Sequence, residues 1–166
     1  VKLLNAGQIC TTVDHAWLPE AKVDAFVNLA RGLVAKRYPR LDSPDYTAII
    51  DQRAFKRLLA ALDDARNRGA QVLSLLDGPA FDHHSRKMAP HIVLNAPPDC
   101  QLLQGEIFGP ILPLRTYTDL DEVIATINAG PRPLAVYPFS YDKARVQHLI
   151  NHVMSGGVTV NDALFH

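Results

Sequence analysis

The chain holds two short segments whose side chains could do chemistry. In Asn5-Ala6-Gly7-Gln8-Ile9-Cys10 a glycine-containing turn delivers a cysteine shortly before an extended stretch. Cysteine acts as a nucleophile through its thiolate, which helix N-termini, backbone N–H groups or a nearby cation stabilise. Taken alone, Cys10 reads first as an inert buried thiol, since free cysteine is among the most buried residue types. In Glu106-Ile107-Phe108-Gly109-Pro110 a carboxylate and an aromatic ring stand two residues apart. Extended backbone would put both on one face, where they suit a sugar hydroxyl and a flat heterocycle. The plainer reading is a surface glutamate beside a core phenylalanine.

Alternating helices and strands must position these segments. From Pro19 to Arg37, Val23, Phe26, Val27, Ala30, Leu33 and Val34 recur at helical steps, with Pro19 suited to the first helical position. A second helix is signalled by Asp51 as its cap, by Phe55, Leu58, Leu59, Leu62 and Ala65 on one face, and by Gly69 as a left-handed stop. A strand over Ala70 to Leu76 follows. Leu120, Val123, Ile124 and Ile127 make the buried stripe of a helix over Thr118 to Gly130, followed by a strand over Leu134 to Ser140. A last helix runs from Asp142 to Met154 with Val146, Leu149, Ile150 and Val153 inward, before a short strand over Val158 to Val160. Extended segments are also expected at Val13 to Leu18, Pro90 to Asn95 and Ile111 to Tyr117, the last held to a strand end or sheet edge by Pro110 and Pro113. Asp77 to Arg86 reads as a surface loop. The pattern predicts an α/β three-layer sandwich with a largely parallel sheet covered by helices.

Composition narrows the function classes. The 166 residues suit one domain, and a hydrophobic share of 48% supports a single core. Basic and acidic residues both number 17, so no net field steers the chain toward nucleic acid. Cys10 and Cys100 are too few for a disulfide framework and match no paired zinc motif, which points to a reducing compartment such as the cytoplasm. No apolar run approaches the roughly 20 residues of a membrane helix. The chain begins at Val1 inside an amphipathic pattern and stops at His166, and it reads as one catalytic-domain segment, residues 1–166, of a longer polypeptide.

Asn-x-Gly-Gln-x-Cys followed far downstream by Glu-Ile-Phe-Gly-Pro resembles the paired signatures of the aldehyde dehydrogenase superfamily. Leu134-Ala135-Val136-Tyr137-Pro138-Phe139-Ser140 and Ser155-Gly156-Gly157-Val158-Thr159-Val160-Asn161-Asp162 extend the resemblance over essentially the whole chain. Asp14 and the ending Asn161 to His166 look most like the class 3 and coniferyl aldehyde dehydrogenase branch. The resemblance implies that Cys10 is the nucleophile, that Glu106 hydrogen-bonds the nicotinamide ribose and that Phe108 packs beside the nicotinamide. Asn5 and Gln8 would hold the turn that presents Cys10.

The activity so implied is NAD- or NADP-dependent oxidation of an aldehyde, of aromatic coniferyl type at branch level, through a cysteine thiohemiacetal and thioester. The partner is a small-molecule aldehyde, and the parent protein is expected to be a homodimer or homotetramer. The family's general-base glutamate and oxyanion asparagine lie upstream of the nucleophile, so neither role falls on a residue here. No Gly-rich phosphate turn opens a helix, so the cofactor-binding domain is expected to lie outside the chain, leaving the segment inactive alone. Three rivals remain. The chain has seven histidines, among them His15, His83, His84 and His166, any of which could make a cysteine hydrolase with Cys10. His83, His84, His91 and Cys100 could hold a metal, although adjacent histidines point apart and no metal is expected. A non-catalytic α/β binding module would leave Cys10 inert.

Overall fold

The computed structural model describes residues 1–165, so the sequence expectations involving His166 lie outside it. In chain order the elements are β1 (Ala16–Pro19), α1 (Val23–Arg37), α2 (Gln52–Asn67), β2 (Gln71–Ser74), β3 (Phe81–Asp82), β4 (Lys87–Met88) and β5 (His91–Leu94). After these come β6 (Ile111–Tyr117), α3 (Leu120–Ala129), β7 (Ala135–Val136), α4 (Lys143–His152) and β8 (Gly157–Val158). The main sheet runs in the order β1-β6-β5-β2. Its β1–β6 and β6–β5 pairs are parallel, and β2 closes one edge antiparallel to β5. The expected α/β architecture with a mostly parallel sheet is present. Two-stranded pairs, β3–β4 antiparallel and β7–β8 parallel, stand apart from it.

The strongest element is α2, for reasons local to its sequence. The Asp51 carboxylate accepts the Ala54 N–H at 2.7 Å and so satisfies one of the free donors of the first turn. Phe55, Leu58, Ala61, Leu62 and Ala65 line its buried face, and the helix packs in part against β2. Each of the larger side chains, taken fully out of water, contributes about 2 kcal/mol. Gly69 ends the helix at a φ of +89°, a conformation that costs glycine little.

Other elements depart from the sequence expectations where distant partners decide. Pro19 closes β1 instead of opening a helix, and a 3-10 turn over Glu20–Lys22 precedes α1. Leu33 on α1 is 67% exposed, because burial follows Val27 and Val34 and Leu33 lies about 100° round the helix from Val34. The segment expected as a loop from Asp77 to Arg86 contains β3 and leads into β4, forming a hairpin. Pro113 does not confine β6 to an edge, since β6 is central. The register explains this: β5 pairs with Ile111 to Leu114, whereas β1 first pairs at Leu114, so Pro113 meets a partner strand on one flank only. The strands expected over Ala70–Leu76, Leu134–Ser140 and Val158–Val160 shorten to β2, β7 and β8. On α4, Val146, Leu149 and Ile150 are only half-buried, while Val153 just beyond it is buried.

Candidate active site

The cysteine loop begins with three consecutive residues in the left-handed region, Asn5 (φ 50°), Ala6 (φ 52°) and Gly7 (φ 76°). Such backbone is cheap for glycine, tolerable for asparagine and unfavourable for alanine by about 1 kcal/mol, so surrounding contacts must hold it. Ala6 and Gly7 are buried. A Cβ on Gly7 would lie 2.2 Å from the Gly109 carbonyl oxygen, so only glycine fits where the two signature segments meet. The Asn5 side-chain amide donates to the Gln8 carbonyl at 3.2 Å, and Gln8 Nε2 donates to the Asn5 carbonyl at 3.0 Å. Gln8, 8% exposed, also reaches across the fold: its Nε2 donates to the Ala48 carbonyl at 3.1 Å and its Oε1 accepts the Ile50 N–H at 2.9 Å. The 48–50 segment is itself tied to the hairpin, by Ile49 N–H to the Arg86 carbonyl at 2.9 Å and Tyr46 hydroxyl to the Met88 carbonyl at 2.7 Å. Cys10, two residues past Gln8, is exposed.

The carboxylate loop is fixed from outside itself. Ile107 is buried, its N–H donates to Asp14 Oδ1 at 2.9 Å and its carbonyl accepts from Arg57 on α2 at 2.6 Å. A Cβ on Gly109 would meet Leu58 Cδ1 at 2.6 Å, and the Pro110 carbonyl accepts the His91 N–H at 2.9 Å. With Ile107 drawn inward and Gly109 wedged between Leu58 and Gly7, the chain must turn at Phe108, which takes a φ of 47°. The extended geometry expected for Glu106 and Phe108 is therefore absent. Both are nonetheless exposed, Phe108 by 37%, on either side of the inward Ile107.

Charge gathers where the two loops approach. Burial pushes the Lys2 amine down to about 8, against the attraction of Asp14 and Glu106. Burial works against the Asp14 carboxylate, yet the His15 ring 3.9 Å away, the bond it accepts from the Ile107 N–H and the Lys2 charge hold it below the usual carboxylate range. From the end of β7, the Tyr137 hydroxyl donates to the carbonyl of Thr11, next to Cys10, at 2.8 Å. Burial pushes that hydroxyl up, partly opposed by the Leu164 backbone. Lys2, Arg57 and Tyr137 were not singled out by sequence reasoning. A lysine inside Val1-Lys2-Leu3-Leu4 was a usable signal, whereas nothing distinguishes Arg57 from its neighbours on α2.

The residues of the metal rival do not gather. His83 meets the Phe55 ring edge-on, and His91 stacks on Phe81 with its Nδ1 2.6 Å from the Ala89 carbonyl. His84 donates its N–H to Asp82, and Cys100 is buried. Among the described residues no three His, Cys, Asp or Glu side chains gather as metal ligands.

A sequence model of the aldehyde dehydrogenase family matches residues 1–166. The chain belongs to the aldehyde dehydrogenase family. It is 43% identical to a coniferyl aldehyde dehydrogenase of Pseudomonas sp. strain HR199, over all of this chain and 35% of that protein. The substrate-bound AldH of Staphylococcus aureus superposes with a TM-score of 0.90 at 34% identity, over 99% of this chain and 35% of that one. An NADP-dependent glyceraldehyde-3-phosphate dehydrogenase from Bacillus halodurans, complexed with NADP, gives 0.84 at 25% identity, over 98% and 34%. This aldehyde dehydrogenase chain thus spans about a third of the length of the relatives it matches. No helix among its described residues is long and apolar enough to cross a membrane.

Proposed function

We propose that the chain supplies the nucleophile-bearing segment of an NAD- or NADP-dependent aldehyde dehydrogenase, with Cys10 as the nucleophile. The observation that carries this reading is the contact of Gly7 with Gly109, which sets an exposed thiol loop against a loop exposing a carboxylate and a ring. The donor set fits the nicotinamide end of the cofactor: Glu106 would accept from a ribose hydroxyl, and the Phe108 ring would pack beside the flat heterocycle. The adenosine and phosphate contacts would come from a domain outside this chain.

The Cys10 thiolate attacks the aldehyde carbon, forming a C–S bond while the carbonyl electron pair moves to oxygen. The Cys10 backbone N–H would be one donor to that oxyanion. Bound NAD(P) supplies the acceptor for the hydride that leaves the thiohemiacetal carbon. The C=O bond then re-forms as a Cys10 thioester. Water adds to this thioester, the C–S bond breaks, and a carboxylic acid leaves with the thiol regenerated. The base that activates this water would come from outside the chain, so residues 1–166 alone would neither bind NAD(P) tightly nor turn over. The likeness to a coniferyl aldehyde dehydrogenase supports an aromatic, phenylpropanoid-type aldehyde as substrate.

The test is nicotinamide reduction by the full-length protein with a panel of aliphatic and aromatic aldehydes, beside Cys10→Ala. Loss of activity by about 10⁴-fold or more in the variant is expected. A folded full-length protein inactive with every aldehyde and both cofactors would overturn the reading, and steady-state oxidation by residues 1–166 alone would overturn the expected inactivity.

A further inference from the structure

The turn that carries Cys10 is bonded by a hydroxyl from far along the chain. Cys10 and Thr11 are the middle residues of a four-residue turn closed by the Thr12 N–H, which donates to the Ile9 carbonyl at 3.0 Å. The same planar peptide unit carries the Thr11 carbonyl on its opposite side, and that carbonyl accepts the Tyr137 hydroxyl at 2.8 Å across 126 residues. Bonds in opposite directions fix the plane of this unit. Thr11 is half-buried, so its carbonyl would find water without Tyr137, and satisfying an acceptor does not by itself account for the bond. The donor is fixed in turn. On either side of it the Val136 carbonyl accepts the Thr159 N–H at 3.3 Å and the Pro138 carbonyl accepts the Asn161 N–H at 2.8 Å. Asn161 then closes on Ser140, its Oδ1 accepting the Ser140 N–H at 2.8 Å and its Nδ2 donating to the Ser140 carbonyl at 3.1 Å.

We infer that Tyr137 is a positioning residue for the nucleophile: its hydroxyl pins the peptide unit after Thr11 and holds the Cys10 turn from downstream, as Gln8 holds it from upstream. The inference rests on the reading of Cys10 as the nucleophile. Gln8 fixes where the turn begins, but the backbone torsions of Cys10 and Thr11 come after it, and these aim the exposed thiol. Without the hydroxyl the turn still closes through Thr12 while the plane after Thr11 is free to tilt. A nucleophile misplaced by about 1 Å attacks up to about a hundredfold more slowly. The groups assigned to the cofactor, Glu106 and Phe108, lie on the other loop, so the loss falls on the chemical step and not on cofactor binding.

The experiment is single-turnover nicotinamide reduction by the full-length enzyme with Tyr137→Phe, which removes one oxygen and keeps the ring. The rate is expected to fall about tenfold or more, with the affinity for NADH and NADPH, read by fluorescence, changed less than about twofold. If Tyr137 only fastened β7 to the start of the chain, the melting temperature would fall and the rate per folded enzyme would not, so an unchanged rate overturns the inference. A second measurement removes no atom from the ring. A trifluorinated tyrosine incorporated at position 137 ionises at lower pH than tyrosine, and its phenolate cannot donate to the Thr11 carbonyl. Its rate relative to the wild type should drop as the phenol ionises, a step followed by absorbance, and a ratio that stays constant through that ionisation would also overturn the inference. Retained aldehyde oxidation by Cys10→Ala would instead remove the reading of Cys10 on which it rests.

Discussion

The cysteine loop and the carboxylate loop meet at a backbone contact yet are held in opposite ways. Residues 5–8 spend their own side chains on position: Asn5 and Gln8 bond each other's backbone, and Gln8 continues to Ala48 and Ile50. Residues 106–110 are held by others, through Asp14, Arg57, Leu58 and the His91 N–H, while Glu106 and Phe108 stay exposed. The difference matches the roles proposed for them. A nucleophile needs a fixed origin, so the side chains before it turn inward. A surface that receives a ligand keeps its own side chains free and delegates its support.

The sharpest way to break this arrangement is at the contact itself. Gly7→Ala would drive a Cβ to 2.2 Å from the Gly109 oxygen at a φ of 76°. A loss of about 4 kcal/mol or more is expected, with both loops displaced, and thermal unfolding of the full-length protein would measure it.

Acid should act next, on the carboxylate loop's support. Burial, partly opposed by the Ala89 carbonyl, pushes His91 from its ordinary 6.5 down to about 4. The unfolded chain therefore takes up this proton first. The stability it concerns is complete above pH 6.5 and is lost as pH falls toward 4, by about 3 kcal/mol. Denaturant midpoints between pH 7 and 4.5 should show that slope, and His91→Phe should flatten it.

Gln8→Ala strands the Ile50 N–H and the Ala48 carbonyl, and about 2 kcal/mol of destabilisation is expected, with kcat reduced because Cys10 loses its fixed origin. Equal kcat in the variant would show that the cysteine loop does not depend on this side chain. Phe108→Gly should have the smallest effect on stability, within about 0.5 kcal/mol, because relief of the left-handed backbone offsets the added freedom of the unfolded chain. Its cofactor affinity should nonetheless fall, a split that fluorescence titration beside a melt would detect.

Much of the fold was legible because its signals are local. Asp51, the apolar face from Phe55 to Ala65 and Gly69 define α2 within a single stretch, and Asp119 and Asp142 cap α3 and α4 in the same way. What sequence could not show depends on partners far along the chain. Pro113 is tolerated in a central strand only because of the register against β1. The 77–86 segment pairs into a hairpin only when Phe81 finds Met88. In the site, Cys10, Glu106 and Phe108 were candidates by residue type, and their expected roles came from the resemblance to the aldehyde dehydrogenase signatures. Gln8 was expected to hold the turn before Cys10, but its partners some forty residues on were not legible, nor was the bond of Asp14 to Ile107 at a sequence separation of 93.

That last separation bears on the order of events during synthesis. Cys10 leaves the ribosome well before Ile107, Gly109 and Pro110, and at translation rates of about 5–20 residues per second the interval is roughly 5 to 20 s. Throughout it the thiol sits on a segment whose contacts with the carboxylate loop have not been made, and closing a loop of that span comes late in folding. The proposed nucleophile is thus made, on an exposed loop, long before the contacts that fix that loop against its partner.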